Sequence, residues 1–233
     1  MRALLTAVVS VALALGIPYG PAEAGAGIGD DDRAVIRVTT ATLDGASFDA
    51  EYVGAVVQRN GLVTPCQQTL PPVDDGRFTI TVYARSVSRG CGAQGGEVYL
   101  WTFVQDQIVY SAHSLAWPGR GRTVPFDPTF SISAPTGGVG PLAGFAGEIF
   151  DRRGRRLPPG ADVAAYIGTT RCAVATTRRI DDFVGFSMDV VGPDSIAGCA
   201  LGAEIRFEVD GRKAVETAVN TPGEDPTVNL SLR

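Results

Sequence analysis

A chain of 233 residues, 45% of them hydrophobic, is long enough for one large β domain or two of about 100 residues each. Its formal net charge of −5 offers no general footprint for nucleic acid or for an anionic membrane. With one histidine and four cysteines, it has little material for a histidine-based hydrolase or a Cys/His metal centre.

The chain opens on a targeting signal. Arg2 precedes an apolar run from Ala3 to Ile17, with helix breakers at Gly16, Pro18, Gly20 and Pro21, and then Ala22-Glu23-Ala24. This is the order of a signal peptide over residues 1–24, cleaved before Gly25. The apolar run is shorter than the roughly 20 residues of a membrane span, so export without a stable span is expected. Cleavage removes one Arg and one Glu and leaves the net charge unchanged. Residues 25–33 read as a flexible leader, with Asp30-Asp31-Asp32 as a solvated acidic tail.

From there one order of events occurs twice. A strand, a turn and a second strand lead to a cysteine: Val35 to Leu43 and Tyr52 to Val57 before Cys66, then Phe145 to Phe150 and Val163 to Ile167 before Cys172. A paired-Asp turn follows, Asp74-Asp75 in the first copy and Asp181-Asp182 in the second. Next comes an alternating strand, Phe78/Ile80/Val82 or Phe186/Met188/Val190, whose period of two puts the apolar set on one sheet face. Gly90-Cys91 and Gly198-Cys199 close the unit, followed by a second alternating strand from Glu97 or Glu204 and a Pro-Gly turn at Pro118-Gly119 or Pro222-Gly223. The Pro- and Gly-rich stretch Ser133 to Pro141 marks the joint. The expected organisation is a first domain over residues 34–132, a linker over 133–143 and a second domain over 144–233.

Four cysteines allow three pairings, and the repeat selects Cys66–Cys91 and Cys172–Cys199. Closing loops of this length removes roughly 3.5 kcal/mol of unfolded-state entropy in the chain-entropy model. No CxxC or Cys/His cluster has ligand spacing, so neither metal nor cofactor is expected. Short strands and frequent turns fit two antiparallel β-sandwiches, immunoglobulin-like in class.

The second copy carries Phe145-Ala146-Gly147-Glu148-Ile149, the run Leu157-Pro158-Pro159-Gly160-Ala161-Asp162-Val163-Ala164-Ala165-Tyr166-Ile167-Gly168, and Ile205-Arg206-Phe207-Glu208-Val209-Asp210-Gly211. In these it resembles the carboxypeptidase-regulatory-like, prealbumin-like β-sandwich repeats of bacterial exported and surface proteins. The likeness covers most of residues 144–233 and, more loosely, 34–132; the first copy lacks the Pro-Pro-Gly turn and has a longer excursion from Trp101 to Trp117. What the resemblance implies is a non-catalytic extracellular module with a structural, adhesive or binding role, whose partner is an extracellular protein or polysaccharide.

Several residues are candidates for chemistry. Arg152, Arg153, Arg155 and Arg156 concentrate four guanidinium groups on one turn, suited to a sulfated or phosphorylated polymer or an acidic partner. Tyr99, Trp101, Tyr110 and Trp117 cluster in the longer first-copy segment, and Tyr99 with Trp101 share a strand face that can stack on sugar rings. That pair is the basis of an alternative reading as a carbohydrate-binding module. A secreted hydrolase is the other alternative, and it must use His113, placed on the strand before Pro118. Against it stand the absence of G-x-S-x-G and of H-E-x-x-H. The Asp-Asp turns fit backbone capping by Asp better than calcium binding.

Overall fold

The computed structural model describes residues 30–105, 107–180 and 183–233. The expected signal peptide, most of the expected leader and the expected turn at Asp181-Asp182 lie outside the described residues. The fold is all-β, with a 3-10 turn at Asp30–Asp32 ahead of the strands.

Seven principal strands form each half. In the first they are β1 (Arg33–Val38), β2 (Val53–Arg59), β3 (Leu62–Pro65), β4 (Phe78–Tyr83), β5 (Glu97–Val104), β6 (Gln107–Tyr110) and β7 (Thr123–Pro125). In the second they are β8 (Leu142–Phe150), β9 (Asp162–Ile167), β10 (Thr170–Thr176), β11 (Phe183–Val191), β12 (Glu204–Val209), β13 (Arg212–Val219) and β14 (Leu230–Ser231). The sheets of the first half run β7-β1-β4 and β3-β2-β5-β6; those of the second run β14-β8-β11 and β10-β9-β12-β13. Each strand therefore has its counterpart seven places on, down to the parallel pairings β1–β7 and β8–β14 within otherwise antiparallel sheets.

The alternation in the sequence accounts for the two cores. Phe78, Ile80 and Val82 face inward from β4, and Ile36 and Val38 from β1, onto Val53, Ala55, Val57, Val98 and Leu100 of the opposite sheet. In the second half Phe145, Phe186, Met188, Ile205, Phe207 and Val209 fill the equivalent space. The ring of Phe207 meets Phe145 edge-on at 5.8 Å and lies 6.5 Å from Phe186. The two disulfides, Cys66–Cys91 and Cys172–Cys199, close loops of 25 and 27 residues, one inside each half. A buried polar side chain follows the sixth strand of each half. Ser111 accepts the Leu100 N–H at 3.1 Å and donates to the His113 carbonyl at 2.9 Å. Asn220 donates to the carbonyls of Val191, Cys199 and Ala200.

Two details differ from expectation. The first strand does not run through to Leu43; it ends at Val38, and Thr42–Leu43 forms a separate short pair with Ala46–Ser47. The break has a cause in Asp127, whose carboxylate accepts the N–H groups of Thr39 and Thr40, both at 2.9 Å, in place of a ladder partner. Those two bonds hold its pKa below the usual carboxylate range. The end of the acidic leader is also tied down: Ser86 Oγ and Arg120 Nη2 both bond Asp32 Oδ1, and Arg120 Nε reaches the Asp31 carbonyl.

Candidate functional site

The halves meet along an extended seam. Strand β11 pairs with β3 through Asp189 and Val63, which fuses β14-β8-β11 to β3-β2-β5-β6 in one continuous sheet. The outer face of the first half contributes Val56, Val63, Tyr99 and Tyr110 to the second core. Residues between the sandwiches pack on this face. The Tyr110 N–H bonds the Pro135 carbonyl at 2.7 Å, and a Cβ on Gly138 would stand 2.5 Å from the Tyr99 hydroxyl. Arg89 ties the halves a second time, with its backbone N–H on Thr176 Oγ1 at 2.9 Å and its guanidinium paired with Asp162. The Arg178 guanidinium lies 6.0 Å from the centre of the Tyr83 ring.

This geometry corrects the expected aromatic platform. Tyr99 is only 7% exposed, because the second half and the joint cover the face of β5 that it shares with Trp101. Trp101 is half-buried, edge-on to Tyr52 at 6.0 Å. Only farther along the same face do Phe103 and its cross-strand partner Ile108 emerge, each 46% exposed. Tyr99 and Trp101 are therefore chiefly packing residues, and they do not form an open pair.

The seam also encloses acids that the sequence did not single out. Asp189 points away from the second core on β11, but its outward face there is the junction with the first half. The Asp225 carboxyl packs over Gly144, the residue opposite Asp189 across β8 and β11. Desolvation, and then the neighbouring Asp225 charge, push Asp189 up to about 7. Burial raises Asp225 as well, and burial together with these two carboxylates lifts the Tyr110 phenol well above its ordinary value.

The arginine turn is smaller as a binding patch than its sequence suggests. Asp151 organises it, accepting the N–H groups of Arg153 and Arg155 at 2.8 and 2.9 Å. The Arg155 N–H foremost, with the Arg155 guanidinium beside it, keeps Asp151 below the usual carboxylate range. Arg155 pairs with Asp151 at 2.8 Å and Arg156 with Glu148 at 2.9 Å. All four arginines are exposed, and Arg152 and Arg153 are in no ion pair among the described residues.

His113 lies in an exposed bend between β6 and the short strand Leu115–Ala116, which corrects its placement on a strand. Its neighbour Ser111 spends its hydroxyl on two backbone groups. At the first Asp-Asp turn, Asp74 and Arg77 exchange backbone bonds, and Asp75 and Gly76 take positive φ. Among the described residues no group of three or more His, Cys, Asp or Glu is placed to hold a metal ion. No helix among them is long and apolar enough to cross a membrane.

A recess of about 520 Å³ opens beside the Cys66–Cys91 bridge, bordered by Arg85, Gly92, Gln94, Trp117, Pro118 and Arg120. Trp117 lies against Gly92, where a Cβ would meet three ring carbons at 2.3 to 2.4 Å. Of the four clustered aromatics, Trp117 lines this recess, and the glycine immediately after Cys91 is the sequence trace of its contact there.

No family model matches the chain, and no curated protein matches it. Among solved structures, similar chains include the TIE protein of Bacillus anthracis, at 7% identity over 86% of this chain and 34% of that one, with a TM-score of 0.24. The shaft pilin SpaA of Lactobacillus rhamnosus GG matches at 8% identity over 87% of this chain and 98% of its own, with a TM-score of 0.25. A streptococcal ancillary pilin matches at 10% identity over 88% and 64%, also with a TM-score of 0.25. The chain thus spans about a third of the first of these proteins. The architecture described above stands on its own strand order and pairing.

Proposed function

We propose that the chain is exported and works outside the cytoplasm as a non-catalytic, two-sandwich binding or adhesive body, whose partner is an extracellular protein or polysaccharide. The observation that carries this reading is the pair of disulfides, one stapling each sandwich, with no cysteine left free. Such bonds persist in oxidising compartments and are rare in the cytosol. The fused seam supports the same reading. With a shared sheet and core surface, pulling on one sandwich loads the other, as a presenting or adhesive role requires. The arrangement around His113 and Ser111 favours this over a secreted hydrolase, since the serine hydroxyl is committed to the backbone.

Fractionation of the source cells tests it. The protein is expected in the medium or surface fraction, beginning at Gly25 and unreactive toward thiol reagents until reduced. Recovery from the cytosol with four reactive thiols and an intact N-terminus would overturn the reading.

A further inference from the structure

We propose that the recess beside the Cys66–Cys91 bridge is a saccharide site, in which Trp117 supplies the stacking surface and Arg85 and Gln94 supply hydrogen bonds to sugar hydroxyls. This deepens the extracellular binding reading and rests on it, because it names a ligand class and a place.

The recess, about 520 Å³, is shallow and open to solvent, so it receives a ligand along one face and does not enclose it, as stacking on a sugar ring requires. Its walls are fixed in advance. Cys91 is held by its disulfide, the Gly92 N–H bonds the Tyr83 carbonyl at 3.0 Å, and the Gly92 carbonyl accepts the Arg85 N–H at 2.9 Å. The Trp117 N–H bonds the Gly96 carbonyl at 2.8 Å, while the flat contact with Gly92 sets the ring's tilt. Across the recess, Arg120 is braced by Asp32 at 2.5 Å and by the Asp31 carbonyl at 2.7 Å. Walls already ordered by such contacts lower the entropy cost of binding.

The chemistry of the lining selects the ligand. The part-buried indole of Trp117, packed on the first core, borders the recess and offers it an apolar surface for the C–H face of a sugar ring. Arg85 and Gln94 are exposed at the rim, with no side-chain hydrogen bond or ion pair among the described residues. Of the two lining cations, Arg120 is paired with Asp32, and Arg85 has no ion-pair partner among the described residues. A single exposed guanidinium, with no second free cation beside it, is a poor seat for a phosphate or sulfate, and the polar rim disfavours an acyl chain. A neutral sugar ring meets both requirements. The second sandwich has Ala200 after Cys199 where the first has Gly92 after Cys91, so it lacks the seat for an equivalent indole.

The experiment uses the two tryptophans of the chain. In a Trp101→Phe background Trp117 is the sole indole, and its emission is followed during titration with neutral hexasaccharides of β-1,4-glucose, β-1,4-mannose and α-1,4-glucose, with sorbitol as an acyclic control. The expected result is a saturable change with at least one hexasaccharide, at a dissociation constant below about 1 mM, and none with sorbitol. By calorimetry on the otherwise unchanged chain, Trp117→Ala should weaken that binding at least tenfold. The Arg85→Ala/Gln94→Ala double variant, at exposed positions that leave the fold intact, should weaken it several-fold and carries the test if Trp117→Ala fails to fold. No saturable change with any hexasaccharide, an equal response to sorbitol, or full affinity in the double variant overturns the proposal. None of these outcomes bears on whether the chain is exported and oxidised, which fractionation decides separately.

Discussion

Replacing Cys172 and Cys199 together with alanine should cost about 3.5 kcal/mol of unfolding free energy. The bridge closes a loop of 27 residues, and in the chain-entropy model a loop of that length contributes about this much by restricting the unfolded chain. The Cys66/Cys91 pair, with a loop of 25 residues, should cost nearly the same. Domains of this size have only about 5 to 15 kcal/mol in total, so either loss is a large fraction. The seam adds a second expectation. Val56, Val63, Tyr99 and Tyr110 of the first half pack in the core of the second, so unfolding the second half strips cover from the first. Urea unfolding followed by far-UV circular dichroism should therefore show one transition in the parent chain and, for each cysteine pair, an earlier midpoint. A loss below about 1 kcal/mol for either pair would contradict the stapling role, and two separate transitions in the parent would contradict the coupling across the seam.

Asp189→Asn should stabilise the protein by roughly 2 kcal/mol at pH 8 and change it little at pH 4. Burial and Asp225 raise the Asp189 carboxyl from the ordinary 3.8 to about 7 in the folded state. Between those values the folded chain keeps a proton that the unfolded chain releases, so stability is full below about pH 4 and falls as pH rises through 7. Each pKa unit is worth about 1.36 kcal/mol, and the partial solvent access that Asp189 retains reduces the total below the full three-unit value. Asparagine carries no charge at any of these pH values and so removes the share of the slope that Asp189 contributes, leaving the smaller share of Asp225, whose carboxyl burial also raises. Asp225→Asn should keep the larger, Asp189 share of the slope but move it to lower pH, because the neighbouring charge is gone. Chemical unfolding at pH 4, 6 and 8 checks all three chains. An Asp189→Asn variant with the parent's pH profile would show that this carboxyl does not set the stability of the seam.

Much of the fold can be read in the sequence because it depends on local rules. The alternation of Phe78/Ile80/Val82 and of Phe186/Met188/Val190 assigns inward faces, and Asp210-Gly211, at φ 49° and 74°, makes the tight turn its residues dictate. The cysteine pairing follows from the repeat for the same reason. What escaped depends on contacts between distant segments. Alternation says only that Tyr99 and Asp189 face away from their own cores; whether that face meets water or the other sandwich is decided by how the halves dock. The arginine turn reads as four free cations until Asp151 and Glu148 are found beside Arg155 and Arg156. The strand break after Val38 depends on a carboxylate 88 residues further along the chain.

Mass mapping of a non-reduced digest of the protein collected from outside the cell tests the central claim most directly. Peptides joined through Cys66–Cys91 and through Cys172–Cys199 are the predicted products. A bond linking one half to the other, or free thiols in the exported protein, would contradict an account in which each sandwich carries its own staple.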